Sequence, residues 1–381
     1  MLKATIRLSR GVRAWTAILA VGLLGSALFA ASAQALPATF WGAVPQETPT
    51  PEQFQRLKGG GVDSIRIPIE WGGVQQAPGG PINWSGPDGV IGRAASAGVE
   101  VLPFLTGAPS WAVPTVFVPG TGKTSKAPAR LPASGPAAGA WSNFLKAAVA
   151  RYGPNGSFWA EHPEVPKRPI RAWQIWNEAN FKYFVANPNP AEYGKLVKLS
   201  YAALKSADPA AQLVLGGLFA LPKGCRSKAK PKRVYCATDF LDAMYEKTPG
   251  VKTKFNAVAL HPYSYFYPEL TPRIEEFRQV LKANGDAAKG LWITELGWSS
   301  QPPTQTNLFA KGLGGQATQL RGAFTLLERK QVAWKLKRVY WFSVDDQSGV
   351  CNFCDGSGLF AQGFVPKKSW FEFVKFAGGT P

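Results

Sequence analysis

Eight short apolar runs, each followed by an amphipathic stretch, set the strongest limit on how this chain can fold. The runs are Thr39–Ala43 (TFWGA), Ser64–Ile69 (SIRIPI), Glu100–Leu105 (EVLPFL), Ala172–Trp176 (AWQIW), Leu213–Gly217 (LVLGG), Ala257–His261 (AVALH), Leu291–Glu295 (LWITE) and Val339–Val344 (VYWFSV). Most are nearly unbroken in their apolarity, as expected of strands buried on both faces in a parallel sheet. The stretches between them have helical spacing: Pro51–Lys58, Ile91–Ala97, Trp141–Tyr152, Ala191–Ser206, Asp239–Lys247, Pro272–Ala283, Gln316–Lys330 and Lys368–Phe376. Thr50 before Pro51 is a capping residue ahead of proline at the first helical position. A βα unit repeated eight times is the count of a (β/α)8 TIM barrel, an α/β fold that takes about 250 residues or more as one domain. An open doubly wound sheet is the alternative, but no glycine-rich phosphate loop follows the first run.

The first 35 residues stand apart from this rhythm. Lys3, Arg7, Arg10 and Arg13 precede an apolar run from Ala14 to Ala31, and Ala33-Gln34-Ala35 is a small-residue cleavage site. This is the pattern of a secretory leader, cut after Ala35. It predicts a secreted, extracellular protein whose folded part is a single domain over 36–381. A retained leader would instead be a membrane anchor, the one way in which a membrane enters this reading.

The formal net charge of +19 includes only four cations from the leader, so the remainder stays strongly basic. Such a balance attracts acidic glycans or cell walls, or serves solubility alone; no nucleic-acid motif accompanies it. Part of the excess lies in Gly122–Arg130 and Lys223–Arg233. The cysteines are Cys225, Cys236, Cys351 and Cys354. An even number in an exported chain implies disulfides, with Cys225–Cys236 and Cys351–Cys354 favoured as local staples. A zinc site is disfavoured, because only one Cys-x-x-Cys and two histidines are present.

Two carboxylates occupy the positions where a barrel carries chemistry. Glu178 follows the fourth run and Glu295 ends the seventh. Acids placed directly after apolar strands are costly to bury without partners. At the C-terminal ends of barrel strands they read as catalytic more readily than as structural ion pairs. Strands four and seven of a closed barrel face each other across its mouth, so the two side chains can converge. Cleavage of a glycosidic bond needs such a pair, one group to protonate the leaving oxygen and one to attack or to activate water. The connections Gly107–Ala140, Leu218–Thr238 and Asp345–Lys367 also follow strand C-termini and are long enough to build a substrate cleft.

The segments Trp176-Asn177-Glu178-Ala179-Asn180 and Ile293-Thr294-Glu295-Leu296-Gly297-Trp298 resemble the acid/base and nucleophile motifs of clan A glycoside hydrolases, nearest the cellulase-like family 5 and the xylosidase-like family 39. The resemblance implies a retaining β-glycosidase in which Glu178 is the acid/base and Glu295 the nucleophile. It further implies that Asn177 binds the sugar 2-hydroxyl, that Arg66 holds the nucleophile ionised, and that Tyr263 bonds it. His261 would belong to the same site, and Trp341 would form a platform under the cleaved sugar. Trp298 is expected to join Trp71, Trp111, Phe181 and Tyr265 as aromatic faces for pyranose rings. The end of the third strand, Phe104-Leu105-Thr106-Gly107-Ala108, lacks the histidine usual in family 5 and leans toward family 39. The chemistry calls for no metal or organic cofactor. The expected partner is a poly- or oligosaccharide, with the basic balance favouring an acidic one, and the expected state is a monomer. A transglycosylase using the same residues, or a binding barrel without catalysis, are the competing readings.

Overall fold

The computed structural model describes residues 36–118, 125–222, 225, 234–349 and 354–381. The leader, the start of one basic stretch, nearly all of the other and the Cys351–Cys354 pairing lie outside the described residues. Eight parallel strands form a closed barrel: β1 Trp41–Val44, β2 Ser64–Glu70, β3 Glu100–Thr106, β4 Ala172–Ile175, β5 Gln212–Leu215, β6 Ala257–His261, β7 Gly290–Leu296 and β8 Leu336–Phe342. Each pairs with its neighbours in chain order, and β8 returns to β1 through Trp41↔Val339 and Val44↔Phe342. The helices outside it are α1 Pro51–Gly59, α2 Ser85–Ser96, α3 Gly135–Tyr152, α4 Pro190–Ala207, α5 Ala237–Lys247, α6 Leu270–Ala283, α7 Gly312–Trp334 and α8 Lys368–Ala377. Thr50 forms the expected cap on α1, its hydroxyl accepting from the Gln53 amide while the Gln53 side chain accepts from the Thr50 amide.

Alternation along each strand separates two cores. On β2, Ile65, Ile67 and Ile69 face the helices, whereas Ser64, Arg66, Pro68 and Glu70 share the inner face. The barrel's floor is filled by Leu102, Val214, Ala257, Ala259, Trp292 and Tyr340, with Ser64 Oγ and Tyr340 Oη 2.9 Å apart. A floor packed in this way makes the barrel a solid core rather than a pore.

The loops at the mouth differ in construction. The segment after β3 contains an antiparallel pair, Thr115–Val118 with Ser125–Pro128. The segment after β5 is stapled by the Cys225–Cys236 disulfide, one of the two expected bridges. Among the described residues, no helix is long and apolar enough to cross a membrane.

Candidate active site

The mouth of the barrel opens into a cleft of about 910 Å³, within the usual range for small-molecule sites. Glu178 and Glu295 both line it, and both are nearly buried, at 7% and 8% exposure. Glu178 reaches the cleft through a bent exit from β4. Trp176 and Glu178 take positive φ values of 70° and 40°, a conformation that side chains disfavour. Two backbone bonds hold the bend, from the Trp176 amide to the Leu105 carbonyl at 2.8 Å and from the Glu178 amide to the Gly217 carbonyl at 3.0 Å. Asn180 anchors its far side: its side-chain amide donates to the Phe219 and Tyr235 carbonyls, both at 2.8 Å, and its oxygen accepts from the Phe219 amide at 3.0 Å. Glu295 enters by another device. The pairing of β7 with β8 is irregular between Ile293 and Leu296, and a local break of this kind re-aims side chains, so that Thr294 and Glu295 both meet inward partners.

Arg66, fully buried on β2, organises the pair. Its guanidinium donates to Glu295 Oε1 at 2.7 Å, Asn177 Oδ1 at 2.6 Å and Gln174 Oε1 at 2.6 Å, and it lies 3.9 Å from the centre of the Phe104 ring. With Asn177 Oδ1 taken by Arg66, the NH2 of this cleft-lining side chain is left to donate to a ligand. Tyr263 donates to Glu295 Oε2 at 2.9 Å. His261 Nδ1 lies 2.8 Å from Glu178 Oε1 and 3.5 Å from Glu295 Oε2. One ligating atom from each of Glu178, His261 and Glu295 lies within 4.8 Å of the others. That spacing alone could admit a cation, but the charge of Arg66 already faces Glu295, so we assign no metal to it.

Charge divides unequally between the two acids. Burial, and then the neighbouring Glu295, push the Glu178 carboxyl well above its ordinary range, with Arg66 opposing. Burial also lifts Glu295, but Arg66 and the Tyr263 hydroxyl counter it, so Glu295 is the stronger acid of the two. Burial, followed by the charge of Arg66, lowers the His261 imidazole well below its usual range, leaving it neutral. Tyr263 is pushed up by burial and by Glu295 and remains a donor.

Of the expected site residues, Arg66, Asn177, Glu178, Tyr263 and Glu295 come together at the cleft. His261 joins them from beneath: it is fully buried and meets Glu178 rather than the cleft surface. Trp341 does not form a platform. It is fully buried between barrel and helices, its indole donating to the Ser357 carbonyl at 3.0 Å, because its place in β8 points outward. The inward position is the next one, and Phe342 lines the cleft. Trp298 is also fully buried, bonded to the Ser264 carbonyl at 2.8 Å, and so is Trp71; Trp111 and Phe181 do reach the cleft. Tyr265 is exposed beside Phe309, which itself lines the cleft. Phe104, Phe219, Phe309 and Phe342 complete an aromatic wall, with Thr106 beside it; for Phe104 and Phe342 the signal is inward parity on their strands, and for Phe219 a place just beyond a strand end.

Comparison with known proteins agrees with this geometry. A family model described as "Glycosyl hydrolase catalytic core" matches residues 164–366. A family 39 glycoside hydrolase from Bacteroides cellulosilyticus WH2 superposes with a TM-score of 0.61 at 19% identity, over 90% of this chain and 64% of its own. The chain thus spans less than two thirds of that protein. A family 39 β-xylosidase from Caulobacter crescentus gives 0.59 at 17%, covering 90% of this chain and 72% of its own. A family 10 structure from Paenibacillus barcinonensis gives 0.57 at 15%, covering 90% and 96%. At such identities the structures attest the barrel fold.

Proposed function

The chain belongs to the glycosyl hydrolase catalytic core family, and from that premise we propose that it is a secreted retaining β-glycosidase acting by double displacement. The observation that carries the mechanism is the closeness of the two acids, with carboxylate oxygens of Glu178 and Glu295 within 4.8 Å. Retaining enzymes hold their carboxyl groups about 5–5.5 Å apart, whereas inverting enzymes need about 6.5–9.5 Å to seat a water between them. In the first step Glu295 attacks the anomeric carbon while Glu178 gives its proton to the departing oxygen. In the second, Glu178 takes a proton from water, which displaces Glu295 and restores the original configuration. The Asn177 NH2 group is positioned to donate to a sugar hydroxyl at the reacting ring.

The lining narrows the substrate. Among the described residues of the cleft, the cations are Arg66, committed to Glu295, and Lys126, on the hairpin after β3. Few cations among the described lining residues, beside an aromatic wall, support a largely neutral glycan. A polysaccharide and oligosaccharide panel followed by proton NMR tests the proposal. The first-formed sugar should carry the anomeric configuration of the substrate; an inverted first product would refute double displacement. Sugar binding with no product from any glycan would favour the binding-barrel reading.

A further inference from the structure

Gln174 and Thr294 are polar residues set inside apolar strands, fully buried and outside the cleft. Their hydrogen bonds can be followed without ambiguity. Gln174 Oε1 lies 2.6 Å from Arg66 Nε, which can only donate, so the oxygen of this amide faces Arg66. The NH2 group on the other side has two protons and two acceptors, the Leu215 carbonyl at 3.0 Å and Thr294 Oγ1 at 3.3 Å. Thr294 Oγ1 thus accepts one bond and still has its own hydrogen to give. Its remaining neighbour is His261 Nε2 at 2.9 Å. Were Nε2 the protonated nitrogen, the Thr294 hydroxyl hydrogen would be left unpaired in a fully buried site, a costly arrangement.

We propose that Thr294, oriented by Gln174, is a positioning residue that fixes His261 as the Nδ1–H tautomer, so that the imidazole donates to Glu178 Oε1. This rests on the reading of Glu178 as acid/base. The neutral imidazole has a single N–H, and with Nε2 accepting from Thr294 that hydrogen sits on Nδ1, 2.8 Å from Glu178. Glu178 Oε1 is thereby occupied, and the transferable proton is confined to Oε2. When Glu178 becomes a carboxylate, the same N–H stabilises it as a base. Gly217 makes room for the contact: a Cβ there would lie 1.9 Å from His261 Nε2 and 2.6 Å from Thr294 Oγ1. The titratable groups facing Glu178 are Glu295 from β7, Arg66 from β2, His261 from β6 and Tyr263 beyond it.

The chain has only two histidines, so ring-15N NMR of protein labelled in histidine reads His261 against a single other residue, the half-exposed His162. Wild-type His261 should show the Nδ1–H tautomer from pH 5 to 8. Thr294→Val should admit the Nε2–H tautomer, and Thr294→Ser should restore the wild-type spectrum. An Nε2–H or doubly protonated ring in the wild type overturns the proposal, as does an unchanged Thr294→Val spectrum. The kinetic counterpart is the alkaline limb of kcat/KM. Loss of the donor to the Glu178 carboxylate should move that limb up by about one unit in Thr294→Val, with KM little changed, and Thr294→Ser should return it. A limb that stays in place refutes the positioning role, since a merely structural defect lowers activity without moving it. The NMR result needs no turnover, so it separates failure of this inference from failure of the glycosidase reading. Should Thr294→Val not fold, the wild-type spectrum decides alone.

Discussion

Replacing Arg66 by methionine removes the guanidinium that holds the site together while keeping much of its length. Three charge-assisted bonds, at 2.6–2.7 Å, disappear at once, and Glu295, Asn177 and Gln174 are each left short of a donor in a buried place. Removing one partner of a buried pair costs about 3–5 kcal/mol. The cost should depend on pH in a defined direction. Arg66 is the largest influence lowering Glu295, against the burial that raises it. Without it the folded-state pKa of Glu295 climbs further above the unfolded value. A group whose folded pKa is raised contributes stability below its unfolded pKa and loses it as pH rises through the folded pKa. The deficit of Arg66→Met should therefore hold a pH-independent part from Asn177 and Gln174 and grow from pH 5 to pH 8 by the part due to Glu295. Urea titrations at the two pH values, read by tryptophan fluorescence, measure it, and the acid limb of kcat/KM should move up in parallel. An equal deficit at both pH values, or a larger one at pH 5, would refute the view that Arg66 holds the charge on Glu295.

Glu178→Gln should lower kcat by about 10²–10⁴ and remove a pKa raised on folding, so its stability relative to wild type should improve from pH 5 to pH 8; a relative loss at pH 8 contradicts the assignment of the resting proton to Glu178. Glu295→Ala should abolish turnover of an aryl β-glycoside, and added azide should restore reaction as the inverted glycosyl azide; activity without azide rejects Glu295 as nucleophile. Phe342→Ala should raise KM, whereas Trp341→Ala, which empties a fully buried site away from the cleft, should cost about 3–5 kcal/mol with KM unchanged. Kinetics that depend on Trp341 rather than Phe342 would restore the platform reading.

Strand order was legible because strands buried on both faces need continuous apolarity, which the runs from Ser64, Glu100, Ala257 and Leu291 display. That same continuity hid parity. In Val339-Tyr340-Trp341-Phe342 all four residues are apolar or aromatic, and composition does not say which two face inward. The polar groups of Arg338 and Tyr340, which meet Glu100 and Ser64 across the floor, carry the answer and place Phe342 at the mouth. The same attention to polar residues in apolar runs would have found Gln174 and Thr294, since buried polar atoms must have partners. The Thr115–Pro128 hairpin had no such signal.

The asymmetry around the two acids also explains how one side chain can serve as acid and then as base. Glu178 and Glu295 are similarly buried, so desolvation alone would treat them alike. What separates them is that Arg66 and Tyr263 bond only Glu295, while Glu178 faces a neutral imidazole and a neighbouring carboxylate. The proton therefore rests on Glu178 while Glu295 keeps its charge. On the proposed mechanism, esterification of Glu295 removes the neighbouring charge that raised Glu178, while Arg66 remains to lower it against burial alone. In that mechanism the shift from acid to base would follow from formation of one covalent bond, with no movement of the barrel. Trapping Glu295 as its 2-fluoroglycosyl ester should accordingly lower the Glu178 pKa, read by 13C NMR of labelled glutamate. An unchanged Glu178 in the trapped form would mean that the two carboxylates are not electrostatically coupled, and the division of labour would need another cause.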